Sequence, residues 1–235
     1  MTGPAKISLW DFERLWYIQP LVPIARNTMK PRFSIYEVVF GIAVLLLLAI
    51  LLLPRVAHHH NGEFYCMMNV RQINIAYIVW AGDNREKLPA EVSVTNNGAM
   101  ELIATGNVAA CFIAMSNDLS ARILICPNDT NHVAAANFGN DFNNSHISYF
   151  ADLDASMDPR RGLLAGDANF AIDGVPVKSG VLELSSNLPV AWTLNRHPRG
   201  GTLGFVDGHA QEVNNSFLPE VLQQFDAATN RLAIP

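Results

Sequence analysis

The sequence predicts an α+β protein in which a long N-terminal transmembrane α-helix packs on an antiparallel β-sheet domain. Three patterns lead to this prediction: one continuous apolar segment, helix-like apolar spacing directly after it, and short apolar segments bounded by turn-forming residues. Of the 235 residues, 50% are hydrophobic and only 16% are charged, which excludes a disordered protein. Because the net charge is −5, the chain has no basic excess for binding nucleic acid.

Residues 33–53 form the apolar segment, and we place the transmembrane helix at 33–54. A helix of this length spans about 30 Å, the thickness of the hydrocarbon core of a bilayer. Residues 38–53 contain no charged or strongly polar side chain, whereas a surface helix of a soluble domain has a polar face. Lys30 and Arg32 precede the segment, so the positive-inside rule predicts a cytoplasmic N-terminus and a single-pass protein of the inner membrane.

Residues 55–84 predict a continuation of the same helix that packs on the outer domain. Its predicted apolar stripe consists of Phe64, Met67, Met68, Ile73, Ala76, Tyr77 and Trp80. Pro54 removes one backbone hydrogen bond, which predicts a kink there. The turn-forming residues Gly82-Asp83-Asn84 predict the end of the helix.

Residues 85–235 predict a periplasmic α+β domain. Residues 99–119 have helical spacing, with an interruption at Gly106-Asn107. Short apolar segments predict strands at 122–126, 147–153, 163–165 and 190–193.

The end of the chain predicts a β-hairpin and a last helix. Residues 202–206 and 209–213 flank Asp207-Gly208, a favoured two-residue hairpin turn. Ser216 is a candidate N-cap for a helix over residues 217–228.

A basic segment, Lys30-Pro31-Arg32, stands directly before Phe33. Counting from Phe33, Glu37 is the fifth residue and Pro54 the twenty-second. This arrangement resembles the N-terminus of type IV prepilins and type II secretion pseudopilins. The resemblance implies cleavage before Phe33 by a prepilin peptidase, methylation of the new N-terminus, and assembly in which Glu37 meets the N-terminus of a neighbouring subunit. Arg32 departs from the family, which prefers glycine before the cut.

Downstream motifs extend the resemblance over residues 30–214. They are Cys66-Met67-Met68-Asn69, Ile125-Cys126-Pro127-Asn128-Asp129, Ser148-Tyr149-Phe150, Gly166-Asp167-Ala168-Asn169, and His197 followed after nine residues by Asp207-Gly208. These segments resemble the large pseudopilin-like families of Planctomycetes and Verrucomicrobia, in which the last is the processing-associated H-X9-DG motif. The resemblance implies a non-enzymatic subunit of a type II secretion or type IV pilus-like system, with membrane lipid and other pilin subunits as partners.

Residues 1–32 are either a long cytoplasmic leader or an extension upstream of the true start. Met29 directly precedes the basic residues, so initiation there gives a leader of ordinary prepilin length. We favour initiation at Met29. The alternative function, favoured by Arg32, is a membrane-anchored binding module that is neither processed nor polymerised.

Several residues are candidates for chemistry. For His197 and Asp207 we favour a structural role in a loop over a metal site. A membrane-tethered hydrolase ranks third, because no known catalytic motif accompanies these residues. The periplasm is oxidising, and Cys66 and Cys126 lie in the family-like segments, so we favour a disulfide between them over one between Cys111 and Cys126. Buried free thiols are the alternative to any disulfide. Calcium is the candidate cofactor, with Asp152, Asp154 and Asp167 as weak candidate ligands. The alternative is that these carboxylates are solvated loop residues.

Overall fold

The computed structural model describes residues 34–56, 62–159, 162–185, 188–224 and 229–235, without the side chains of 51–56 and 229. The chain divides into two units, Met1–Pro54 and Arg55–Pro235. The second unit contains an antiparallel sheet and several helices, so the α+β class is confirmed. The predicted processing site at Arg32 and Phe33, and the helix continuation through residues 57–61, lie outside the described residues.

Helix α1 runs from Ile35 to Val56 and includes Pro54. Its N-terminus is capped locally, because the backbone N–H of Ser34 donates to Glu37 Oε2 at 3.0 Å and that of Tyr36 to Ser34 Oγ at 3.4 Å. The side chains of residues 34–50 are all exposed. Among the described residues, no helix combines the length and the hydropathy that crossing a membrane requires.

Helix α2 runs from Gly62 to Asp83 and ends where the sequence predicts. Its buried face is Cys66, Val70, Ile73, Asn74, Ala76, Tyr77, Trp80 and Ala81. The predicted stripe is therefore right from Ile73 onward but wrong at Phe64, which is exposed. Spacings of three and four residues from Cys66 place the thiol and the core side chains on one face of the helix.

Two short helices, α3 (Met100–Ile103) and α4 (Val108–Ala114), form within the helical region predicted at 99–119, and the predicted interruption at Gly106-Asn107 is confirmed. They separate at Gly106, whose φ of +86° is accessible to glycine at little cost. The strand predicted at 122–126 is wrong, because Ala121–Leu124 is a 3-10 helix. Ala121 and Leu124 are both buried, and their spacing of three suits a 3-10 turn rather than a strand.

Nine strands follow in the described part of the chain. They are β1 (Tyr149–Asp152), β2 (Leu163–Asp167), β3 (Phe170–Ile172), β4 (Val175–Pro176), β5 (Gly180–Ser185), β6 (Val190–Trp192), β7 (Gly201–Phe205), β8 (Ala210–Val213) and β9 (Thr229–Ile234). Six form an antiparallel sheet in the order β5-β9-β1-β2-β7-β8, and three form a second sheet in the order β4-β3-β6. The strands predicted at 147–153, 163–165 and 190–193 are confirmed as β1, β2 and β6.

The six-stranded sheet lies between two apolar clusters. Alternating residues of β1 show this directly, since Tyr149 and Ala151 pack with α2 and α4 whereas Phe150 packs with Trp192 and Leu218 on the other face. The second cluster includes the small sheet and helix α5 (Leu218–Gln223).

The last helix begins differently from the prediction. Ser216 is not its cap; Asn214 Oδ1 instead accepts hydrogen bonds from the backbone N–H groups of Ser216 and Phe217, at 2.9 and 3.1 Å. Helix α5 ends at Gln223, and residues 225–228 of the predicted helix lie outside the described residues.

The predicted hairpin is confirmed as β7 and β8, although its turn differs. The backbone N–H of Gly208 donates to the carbonyl of Phe205 at 2.9 Å, which makes Val206 and Asp207 the central turn residues. Gly208 follows with a φ of +85°. A turn followed by a left-handed glycine is a common three-residue hairpin loop.

Candidate functional site

Four buried side chains from distant parts of the sequence meet at one point. Cys66, Cys126, Asp167 and His197 each present a ligand-type atom, and these atoms all lie within 4.8 Å of one another. His197 Nε2 is 3.2 Å from Cys126 Sγ and 3.4 Å from Asp167 Oδ2. Cys66 Sγ is 3.3 Å from Asp167 Oδ1.

Four different elements position these side chains. Cys66 lies in the second turn of α2, and Cys126 follows the 3-10 helix that ends at Leu124. Asp167 is the last residue of β2, directly opposite Tyr149 of β1. His197 lies in the loop that precedes β7. The cluster therefore joins α2 to the C-terminal end of strand β2.

Asp167 is held in a fixed orientation. Its Oδ2 accepts a hydrogen bond from the backbone N–H of Thr202 at 2.8 Å, and Arg196 Nη1 lies 3.5 Å from its Oδ1. Burial on its own would raise the pKa of Asp167, but the contacts with His197 and Arg196 outweigh burial and lower it. The carboxylate is therefore the charged form in the folded protein.

The other three groups of the cluster shift one another's pKa values. Burial opposes protonation of His197, yet its hydrogen bonds with Asp167 and Cys126 raise its pKa to about 10. Hydrogen bonds from Cys66 and His197 lower the pKa of Cys126 to about 6, against the effect of burial. Burial raises the pKa of Cys66. These shifts favour a protonated His197 beside the charged Asp167 and a deprotonated Cys126.

A second layer of polar contacts surrounds the cluster. Tyr149 Oη lies 3.4 Å from Cys66 Sγ and accepts a hydrogen bond from Asn69 Nδ2 at 3.3 Å. The side-chain amide of Asn128 lies 3.5 Å from His197 Nδ1. These contacts restrict the orientation of the thiol and of the imidazole ring.

Arg196 connects the cluster to a further buried carboxylate. Its guanidinium forms a salt bridge with Asp129 and donates to the carbonyl of Ser148 at 2.7 Å. The Ser148 hydroxyl donates to Asp129 Oδ2 at 2.7 Å, and His132 Nδ1 lies 2.9 Å from the same oxygen. Burial alone would raise the pKa of Asp129; the hydrogen bond from Ser148 and the charge of Arg196 lower it instead.

The two ends of the H-X9-DG motif are in different environments. His197 is buried in the cluster, whereas the Asp207 side chain is 65% exposed at the tip of the hairpin and contacts His209. Asp207 accepts from the backbone N–H of His209 at 3.0 Å, and Gly208 provides the left-handed turn conformation. The structure does not bring His197 and Asp207 together as a catalytic pair.

The cluster also lacks the arrangement of a nucleophilic triad. In such a triad the two ring nitrogens of histidine contact different partners, the nucleophile and the carboxylate. Here His197 Nε2 contacts both Cys126 and Asp167. All three side chains are buried.

Two of the three candidate calcium ligands are neighbours, and the third belongs to a different cluster. Asp154 lies next to Asp152, whose Oδ1 accepts from the backbone N–H of Asp154 at 2.8 Å, and Asp154 also forms a salt bridge with Arg231. Asp167 belongs instead to the cysteine–histidine cluster. Cys66 and Cys126 are free thiols here, with sulfur atoms within 4.8 Å, so their disulfide stays a prediction.

A polar cleft lies beside the cluster. Its lining includes Asn128, Asp129, His132, Asn169 and Arg196. Its volume is about 260 Å³, slightly below the range of 300–1,000 Å³ typical of small-molecule sites.

Comparisons with known proteins find no matching family model, no similar curated protein and no similar solved structure.

Proposed function

We propose that this protein is a non-enzymatic, pilin-like structural subunit. Residues 33–54 anchor it in the inner membrane, and α1 packs with other pilin or pseudopilin subunits in a type II secretion or type IV pilus-like system. The observation that carries this proposal is α1 itself, a helix whose residues 38–50 are apolar and exposed.

The exposed apolar surface surrounds the helix. Phe40, Leu45 and Leu46 are 71%, 68% and 59% exposed. At 3.6 residues per turn, these three side chains project in directions spaced about evenly around the axis. A helix that is apolar on every side is stable in contact with lipid or with other helices, not in water. Membrane lipid before assembly and neighbouring subunits after it provide those contacts.

Glu37 supports assembly rather than anchoring alone. A carboxylate in the apolar part of a membrane helix is costly, by about 2.5–3.5 kcal/mol at the centre and less near an end. In the single chain Glu37 accepts a hydrogen bond from the backbone N–H of Ser34. A positively charged N-terminus at Phe33 of a neighbouring subunit offers this carboxylate a stronger partner.

The second candidate is an unprocessed, membrane-anchored binding module. Arg32 before the cut and the polar cleft favour it. The cleft combines a buried ion pair, Asp129 and Arg196, with amide and imidazole groups suited to a small polar ligand. Its size argues against a large ligand.

Fractionation of cells that express the full chain tests the anchor. The wild-type protein is expected to stay in membranes through an alkaline carbonate wash and to be released by detergent. The double variant Leu45→Arg/Leu46→Arg is expected to lose membrane insertion, because each charge costs about 2.5–3.5 kcal/mol near the helix centre. Val133→Arg, at an exposed apolar position of the outer domain, is the matched control and is expected to stay membrane-bound. Release of the wild type by carbonate would refute the anchor.

Crosslinking in intact membranes separates the two candidates. The wild type is expected to form a ladder of crosslinked multimers in cells that contain the assembly system. Glu37→Gln is expected to retain the anchor and lose the ladder. No ladder for the wild type would favour the binding module, whereas equal ladders for both proteins would contradict the role of Glu37 in assembly.

A further inference from the structure

We infer that Cys66, Cys126, Asp167 and His197 form a structural zinc site in the outer domain. This inference does not depend on polymerisation, because all four residues lie in the second unit of the chain. The four residues belong to four separate sequence motifs, and the motifs alone assign them no shared role.

The distances between the four ligand-type atoms suit a tetrahedral metal. Zinc bonds of about 2.3 Å to sulfur and about 2.0–2.2 Å to nitrogen and oxygen place neighbouring ligands about 3.3 to 3.8 Å apart. With Asp167 Oδ2 as the carboxylate ligand, the observed separations are 3.2 Å between Cys126 Sγ and His197 Nε2, 3.5 Å between Cys66 Sγ and Asp167 Oδ2, and 3.4 Å between His197 Nε2 and Asp167 Oδ2. The ligand-type atoms of the four residues all lie within 4.8 Å of one another. The three measured separations lie within a few tenths of an ångström of this range, and side-chain shifts of at most about 1 Å bring the remaining pairs into it.

The ligand chemistry selects zinc over calcium. Two thiolates and an imidazole are the ligands of zinc and similar transition metals, whereas calcium takes six to eight oxygen atoms. Burial of all four side chains leaves no open coordination position, which is the pattern of a structural site rather than of a catalytic one.

The surrounding residues fit a bound dication. Two thiolates and one carboxylate give the site three negative charges, so a bound zinc ion leaves a net charge of −1. The guanidinium of Arg196 compensates this charge, because its Nη1 lies 3.5 Å from Asp167 Oδ1. The backbone N–H of Thr202 orients Asp167, and the amide of Asn128 lies at the nitrogen of His197 that the metal does not use. Such second contacts orient the ligands of metal sites.

The site explains how widely separated segments are held together. Its ligands come from α2, from the segment after the 3-10 helix, from β2 and from the loop before β7. Zinc at this point fixes the start of α2 against the sheet. A Cys66–Cys126 disulfide is the competing state, because it consumes both thiolates.

Metal analysis of the full chain, purified in detergent without chelator, tests the inference. About one zinc per chain is expected by inductively coupled plasma mass spectrometry. Cys126→Ser is expected to lose most of this zinc, whereas Cys111→Ser is expected to retain it. Cys111 is the matched control, because it is equally buried but hydrogen-bonded to Tyr77, outside the cluster. Full zinc occupancy in a folded Cys126→Ser protein would overturn the inference.

A second measurement uses only the wild type and so does not depend on whether a variant folds. After chelator treatment, Co²⁺ is expected to restore about one metal per chain and to give a thiolate-to-cobalt charge-transfer band together with the intense visible bands of tetrahedral cobalt. Absence of these bands would overturn the inference. A disulfide-linked peptide that joins Cys66 to Cys126, found by non-reducing mass spectrometry of metal-free native protein, would instead establish the disulfide and overturn the zinc site.

Discussion

The loss of Arg196 is expected to destabilise the second unit of the chain, residues 55–235. Arg196 lies between two buried carboxylates, Asp129 and Asp167, whose side chains are 1% and 0% exposed. Its own side chain is 9% exposed, and it also donates to the carbonyl of Ser148. Removal of one partner of a buried ion pair costs about 3–5 kcal/mol, because the remaining charge is left without compensation.

We therefore expect Arg196→Ala to lower the free energy of unfolding by about 3–5 kcal/mol, a large part of the about 5–15 kcal/mol of a typical domain. Urea unfolding of the full chain in detergent, followed by tryptophan fluorescence, measures this change. Arg199→Ala is the matched control: its side chain is 70% exposed, so its salt bridge with Glu63 is expected to contribute little.

A double variant tests the cause of the destabilisation. If the cost arises from the unpaired Asp129, then Arg196→Ala/Asp129→Asn is expected to be more stable than Arg196→Ala alone. Equal effects of Arg196→Ala and Arg199→Ala would refute the reasoning, since they would show that the buried carboxylates do not need the guanidinium.

Two further predictions concern the sheet. Burial raises the pKa of Asp152 from 3.8 to about 8, so the folded protein keeps a proton that the unfolded chain loses above about pH 4. The contribution of Asp152 to stability is therefore expected to fall between about pH 4 and pH 8, and Asp152→Asn is expected to remove this part of the pH profile in urea titrations at several pH values. Gly204→Ala is expected to lower the free energy of unfolding by about 1–3 kcal/mol, because the new Cβ would lie 2.3 Å from Asn74 Oδ1 and 2.6 Å from Val70 Cγ1. Gly82→Ala in α2 is the control, because a Cβ there has no atom within 4 Å, and it is expected to leave the melting temperature unchanged or to raise it. Similar decreases in melting temperature for both variants would contradict the packing argument.

Local sequence signals predict the elements that depend on local interactions. The end of α2 at Asp83, strands β1, β2 and β6, and the hairpin of β7 and β8 follow from turn-forming residues and apolar spacing. Strand β9 was missed because its place depends on distant partners. It pairs with β5 on one side and β1 on the other, so it lies inside the sheet although it ends the chain.

The cluster shows the same limit at the level of side chains. Each of its four residues lies in a motif that the sequence makes visible, yet the motifs do not say which residues meet. The H-X9-DG motif links His197 to Asp207, but the structure places Asp207 at the exposed tip of the hairpin. The carboxylate that contacts His197 is instead Asp167, at the end of strand β2. Only the register of β1 with β2 and the packing of α2 bring Asp167 to Cys66.

The N-terminal peptide of the native protein, isolated from membranes and sequenced by mass spectrometry, tests the proposed function most directly. A pilin-like subunit is expected to begin with a methylated Phe33, despite Arg32 before the cut. A native N-terminus at Met29 or Met1 would contradict assembly through a processed α1, because the leader would then remain attached to the helix.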